Sequence, residues 1–250
     1  MKNISILLAI LFILSGPISS LALEIPDIIK KPVSEVKEDY RNFYLDSGNI
    51  LRFGAALSVA GITANSSADR EVQEYFQDNI RSGPGDDASD IMRIPGEALV
   101  TLPLTLGAYL ISDGPAGEWG KRSLRALFLG GPAGLIVQRA TGGGRPREGD
   151  SHWRPFKNNN GLSGHAFIGA VPFITAARMQ ENVYFKGLLY GASILPGLSR
   201  INDNEHFISQ AAIGWYLAYL SAAAVEGSKT GAVSILPFKN GLTLSYRKVF

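Results

Sequence analysis

The chain has 250 residues and no cysteine. That absence excludes disulfide frameworks, thiolate zinc sites, iron–sulfur clusters and cysteine nucleophiles together. Histidine is scarce, with three copies at His152, His165 and His206. Charge is thin as well: 18% of residues are acidic or basic, against about 25% in ordinary soluble domains. The net charge of +2 is too small to suggest a nucleic-acid partner, and none is expected. What is present is a 46% hydrophobic chain, long enough for one large domain or two small ones. Composition alone leaves a membrane-associated protein and a tightly helical soluble one both open.

The beginning reads as a secretory signal over residues 1–22. Lys2 supplies the positive start and Ile4 to Leu14 an apolar run interrupted only by Ser5. Gly16-Pro17 then breaks the helix, and Ser20-Leu21-Ala22 offers small residues for cleavage. Export without cysteine fits a bacterial periplasm, and an uncleaved anchor is the alternative. Charge-free apolar stretches follow at Phe53–Ala68, Ala98–Ser112, Ala126–Gln138, Gly187–Ser199 and Phe207–Val225. A spanning helix needs ~20 apolar residues, and only Phe207–Val225 comes near. The others are short and interrupted, as at Gly130-Gly131-Pro132 and Pro196-Gly197, so they read as core helices of an all-α domain.

Four regions are expected: the signal, an N-terminal arm with first helices over 23–94, a helical core over 95–226, and a tail over 227–250. Loops are expected at Ser82–Ser89 and Asp113–Gly117, and a longer polar one from Ala140 to Asn160. The tail alternates and turns at Lys239-Asn240-Gly241, with Leu242, Leu244 and Tyr246 on one face, which predicts a β-hairpin.

Two histidines sit in informative contexts. Gly161-Leu162-Ser163-Gly164-His165 joins the polar loop to an apolar helix, where Ser163 can cap and free N–H groups favour an anion. Ser199-Arg200 precedes His206 at the opening of the next apolar helix, where Asn202, Asp203 and Asn204 offer caps. A helix to Met179, a turn over Gln180–Asn182 and a return helix near Val183–Leu195 bring both histidines to one end of the bundle. Arg139 and Arg145-Pro146 flank the triple glycine and join them. Phosphoryl transfer needs that set: guanidinium forks for the oxygens, imidazoles for attack and proton transfer. His152 matches nothing and reads as a loop residue, and Arg147, Arg154 and Lys157 as a solvated basic loop. No metal is expected, since the two histidines lack an obvious third ligand.

The pattern resembles the type 2 phosphatidic acid phosphatases (PAP2), which share their site with vanadium haloperoxidases. Three motifs carry the resemblance: Gln138 through Arg145-Pro146, Leu162-Ser163-Gly164-His165, and Ser199-Arg200 with His206 and Gln210. The resemblance covers roughly residues 95–225. The resemblance implies a PAP2-like bundle of about six core helices and a metal-independent mechanism. His206 would form a phosphohistidine, and His165 would protonate the leaving oxygen. Arg145 and Arg200, with Ser163, Gly164 and Ser199, would hold the phosphate. Three positions depart from the family: Gln138 stands for Lys, Leu162 for Pro and Gln210 for Asp. Arg139 is the neighbouring cation that could replace the missing Lys. Gln210, four residues after His206, can accept its Nδ1–H but carries no charge. The implied function is an exported phosphatase for phosphate monoesters or pyrophosphates, chiefly of lipids, with a membrane surface as an allowed partner. The alternative is a weakened member that binds phosphate or phospholipid headgroups. No cofactor is expected; vanadate would enter as a phosphate mimic, and a vanadate-dependent haloperoxidase is the lower alternative.

Overall fold

The computed structural model describes residues 27–226, 232–238 and 241–247. Among residues 27–226 all regular structure is helical, in agreement with the all-α expectation. The helices are α1 (Asp27–Tyr40), α2 (Ser47–Ala64), α3 (Ala68–Asn79), α4 (Gly83–Met92), α5 (Ala98–Ile111), α6 (Pro115–Thr141), α7 (Gly164–Met179), α8 (Val183–Ala192), α9 (Leu195–Asn202) and α10 (Ile208–Val225). A π-turn, Arg41–Leu45, continues α1, and 3-10 turns lie at Ile94–Gly96 and Pro146–Glu148. Strands β1 (Ala232–Phe238) and β2 (Gly241–Arg247) pair antiparallel. The turn residues Lys239 and Asn240 and the proposed signal over 1–22 lie outside the described residues.

Helix α10 is apolar on every side and forms the centre, packed by α7, α6 and α2. Ile208–Val225 is also long and apolar enough to cross a membrane, but 67% of it is buried inside the bundle. Helices α4 and α5 reach that length only as a pair bent by 53°. The bundle is less well covered elsewhere: Leu99 and Ile111 on α5, Leu135 on α6 and Tyr184 on α8 are all exposed. The first helices belong to the same core, because Arg125 on α6 donates from Nε and a terminal nitrogen to both oxygens of Asp39, each at 2.7 Å.

Four local expectations need correction. The loop expected at Asp113–Gly117 ends at Gly114, and Pro115–Gly117 is already the first turn of α6, where Pro at the first helical position leaves no hydrogen bond unmade. Ser82–Ser89 is not a loop but the start of α4. Ser82 Oγ accepts the Gly85 N–H at 3.2 Å, Pro84 sits in the first turn and Asp86 follows, which together are helix-start chemistry. Gly130-Gly131-Pro132 does not break α6, which runs through all 27 residues. Burial of Leu127, Leu129 and Val137 along its length outweighs the one hydrogen bond that Pro132 cannot make. The return helix stops at Ala192, and α9 begins separately at Leu195 with Pro196 in its first turn.

Candidate active site

Helix α6 ends where Gly142 takes φ +62°, a left-handed conformation open to glycine. The polar segment that follows is tied down at several points. Phe156 N donates to Arg139 O at 2.8 Å, Ser151 Oγ to Ala64 O at 2.9 Å, and Asn160 N to Gly143 O at 3.2 Å. Ser163 caps α7 as expected, its Oγ accepting the Ala166 N–H at 3.3 Å. Its own N–H donates to Gln210 O at 2.9 Å, which joins the start of α7 to the start of α10. The α7–α8–α9 excursion then returns Arg200 and His206 to the end that holds His165.

His206 does not open α10, as expected, but precedes it by two residues. Its Nδ1 still lies 2.8 Å from Gln210 Oε1. That same Oε1 accepts the Phe207 N–H at 3.2 Å, while Gln210 Nε2 donates to Gly144 O at 2.7 Å. The amide orientation is thereby fixed by backbone groups. An acceptor facing Nδ1 means that Nδ1 carries the proton, so neutral His206 has its lone pair on Nε2. His206 is 7% exposed. Burial pushes its pKa down to about 4; the hydrogen bond to Gln210 works against this, and the charges of Arg145, Arg200 and His165 add to it.

Around His206 stand the two expected arginines. Arg145 Nε donates to Asn160 Oδ1 at 3.1 Å, and Arg200 donates to Asp203 Oδ2 at 3.0 Å. Both also meet one carboxylate, Glu205: Arg145 by a direct hydrogen bond, Arg200 at 3.9 Å. Arg147 joins the same carboxylate at 2.9 Å. Arg200 Nε is buried and has no hydrogen-bond partner among the described residues. A buried guanidinium N–H whose charge acts on a neutral imidazole is a donor suited to an anion.

His165 has a different setting. Its side chain is 33% exposed, and Nε2 lies 3.2 Å from Glu97 Oε1. Glu97 closes the 3-10 turn Ile94–Gly96 and is the residue immediately before α5. A Cβ on Gly96 would come within 2.9 Å of both His165 Cβ and His165 O, so a residue without one is needed for that approach.

The remaining expected residues divide. Gln138 Nε2 donates to Leu162 O at 3.0 Å and fastens the segment before the α7 cap. Arg139 is exposed near the end of α6. Ser199 is fully buried and its Oγ donates to Pro196 O at 2.8 Å, so this hydroxyl is turned into its own helix. Gly164 forms the first residue of α7. His152 is exposed in the loop, 3.9 Å from Asp150. The expected caps on α10 are used elsewhere: Asn202 binds Asp86, Asp203 takes Ser89 and Arg200, and Asn204 takes Gln73. The actual cap is buried Asp69 on α3, which accepts Ser209 N at 3.0 Å and Ser209 Oγ at 2.5 Å.

Three acidic residues thus escaped the sequence reading. Glu205 sits inside the five-residue spacer before His206 and could have been noticed there as an acid beside the candidate nucleophile. Glu97 and Asp69 reach the site from distant helices and leave no local signal. Among the described residues no group of three or more His, Asp or Glu is arranged to hold a metal ion. Beyond Gln138 and Gly164 lies an apolar hollow of about 250 Å³, walled by Leu102, Phe128, Leu135, Leu162, Phe167 and Ile168. A larger hollow of about 630 Å³, lined by residues between Ser34 and Ser47, contains neither histidine. Comparison with protein-family models, with curated proteins and with solved structures finds no match for this chain.

Proposed function

We propose that this chain is an exported phosphatase, hydrolysing phosphate monoesters or pyrophosphates of lipids, with the bundle and site of the PAP2 and vanadium haloperoxidase superfamily. The observation that carries the reading is His206: a buried imidazole, neutral at pH 7, protonated on Nδ1 and bearing its lone pair on Nε2 beside two arginines. In the first step Nε2 attacks phosphorus and the bond from phosphorus to the ester oxygen breaks. Protonated His165 gives its proton to that oxygen, and the alcohol leaves. In the second step water attacks the phosphohistidine, His165 takes the water's proton, and the phosphorus–nitrogen bond breaks to free phosphate. Arg145 and Arg200 stabilise the charge that builds on the phosphoryl oxygens, where loss of one donor costs ~10²–10³ in rate. The apolar hollow beside Gly164 and the exposed apolar residues of α5, α6 and α8 support a lipid leaving group. Export rests on the signal-like residues 1–22.

The test is phosphate release by the purified protein from a soluble phosphomonoester and from a lipid pyrophosphate. His206→Ala is expected to lower the rate by ~10⁴ or more and His165→Ala by ~10²–10³. Unchanged rates in both variants would overturn the reading. A second reading, binding of phosphate groups without turnover, is favoured by one feature: Gln210 orients His206 but cannot balance an imidazolium. It predicts phosphate binding by the wild type with no release from any of these substrates.

A further inference from the structure

The three arginines at the site do not face an empty space. We propose that Glu205 is the site's internal anion: its carboxylate fills the arginine pocket in the free protein and swings out when a phosphate group enters. This inference rests on the anion-site part of the proposed function and not on turnover.

Arg145, Arg147 and Arg200 come from two separate stretches of chain and would repel one another without a shared counter-ion. Glu205 supplies it, taking Arg145 on Oε2 and Arg147 on Oε1. Its carboxylate meets Arg145 and Arg200, the two arginines whose charges act on His206, so it occupies the place of an anion held by both. The carboxylate is nevertheless an incomplete occupant. It leaves buried Arg200 Nε unpaired, whereas a phosphate group brings more oxygens than a carboxylate and can satisfy that N–H as well.

The geometry also permits the exchange. The backbone is pinned, because Glu205 N and His206 N both donate to Arg200 O, at 2.9 and 3.1 Å. Only the side chain has to move. Each inner arginine keeps a second partner when it does: Arg145 keeps Asn160, and Arg200 keeps Asp203. Arg147 is 57% exposed and can follow Glu205 outward, so the displaced carboxylate retains a cation at the surface.

The test is calorimetric titration of the full chain with inorganic phosphate at low salt, for the wild type and Glu205→Gln. The isosteric amide keeps the shape and removes the competing charge. Phosphate is expected to bind Glu205→Gln about ten-fold more tightly or better, since a charge-assisted contact no longer has to be broken first. Arg145→Ala and Arg200→Ala are expected to weaken binding in either background. Glu205→Gln should also melt below the wild type in plain buffer and recover with phosphate, which separates a loss of counter-ion from a loss of fold. Unchanged or weaker phosphate binding by Glu205→Gln, with the arginine variants still impaired, overturns the proposal while the anion site stands. No phosphate binding by any of the proteins overturns both.

Discussion

His165 and His206 stand at the same end of the bundle, yet their surroundings are opposite. His206 is nearly sealed, pinned at Nδ1 by an amide that two backbone groups hold in turn, and kept neutral by burial. His165 is one-third exposed at the first turn of α7 and meets a carboxylate carried by another helix. Two titratable groups whose environments differ in this way are fitted to different tasks. In the proposed phosphatase the sealed, neutral ring offers its lone pair, while the open one would exchange protons with substrate and water. The difference also explains why Gln210 is compatible with this site. An amide has two ends, one accepting from His206 and Phe207 and the other donating to Gly144 O, and a carboxylate has no second end of that kind.

The sharpest way to break the comparison is through pH. In the unfolded chain His206 titrates near 6.5, and in the native protein near 4. Between these values the unfolded state holds a proton that the native state refuses. Stability that is present above pH 6.5 is therefore lost as pH falls towards 4, by about 3 kcal/mol from this ring alone. Urea unfolding of the wild type and His206→Asn across pH 7 to 4 measures it. The variant is expected to lose about 3 kcal/mol less over that interval, and parallel curves would show that His206 is not held neutral.

Gln210→Glu tests the other half of the same arrangement. It replaces the N–H that meets Gly144 O at 2.7 Å with an oxygen, so two acceptors face each other in a buried place. The expected cost is about 2 kcal/mol of stability at pH 7, read from chemical unfolding. No loss would mean that the Gly144 contact carries no weight, and with it the account of why this position is an amide.

How much of this was legible in the sequence depends on distance along the chain. The all-α class, the Ser163 cap, the α7 boundary at Met179 and the pairing of His206 with Gln210 all follow from neighbours within four residues or from periodicity. Failures came where a second rule outweighs the first. Pro132 stays inside α6 because the helix is buried around it, and Ser82-Gly-Pro-Gly, a turn by composition, is equally a capped helix start. The acids were least legible. Asp69 caps α10 from 140 residues away, Glu97 meets His165 from 68 away, and Glu205 crosses 60 residues to reach Arg145. No periodicity links such positions, because their meeting is decided by how helices pack.

The smallest expected effect falls on the open histidine. If Glu97 only orients His165, then Glu97→Ala should lower kcat by about ten-fold with KM little changed, since the imidazole keeps its place in α7 but loses its partner at 3.2 Å. Glu97→Gln retains an oxygen that can accept from Nε2, and it should recover most of the loss. That recovery distinguishes aim from charge. An amide that fails where the carboxylate works would mean that His165 needs a negative neighbour during proton transfer, and the two histidines would then differ in partner charge as well as in exposure. A rate untouched by Glu97→Ala would instead make the contact incidental, leaving burial as the feature that separates the two rings.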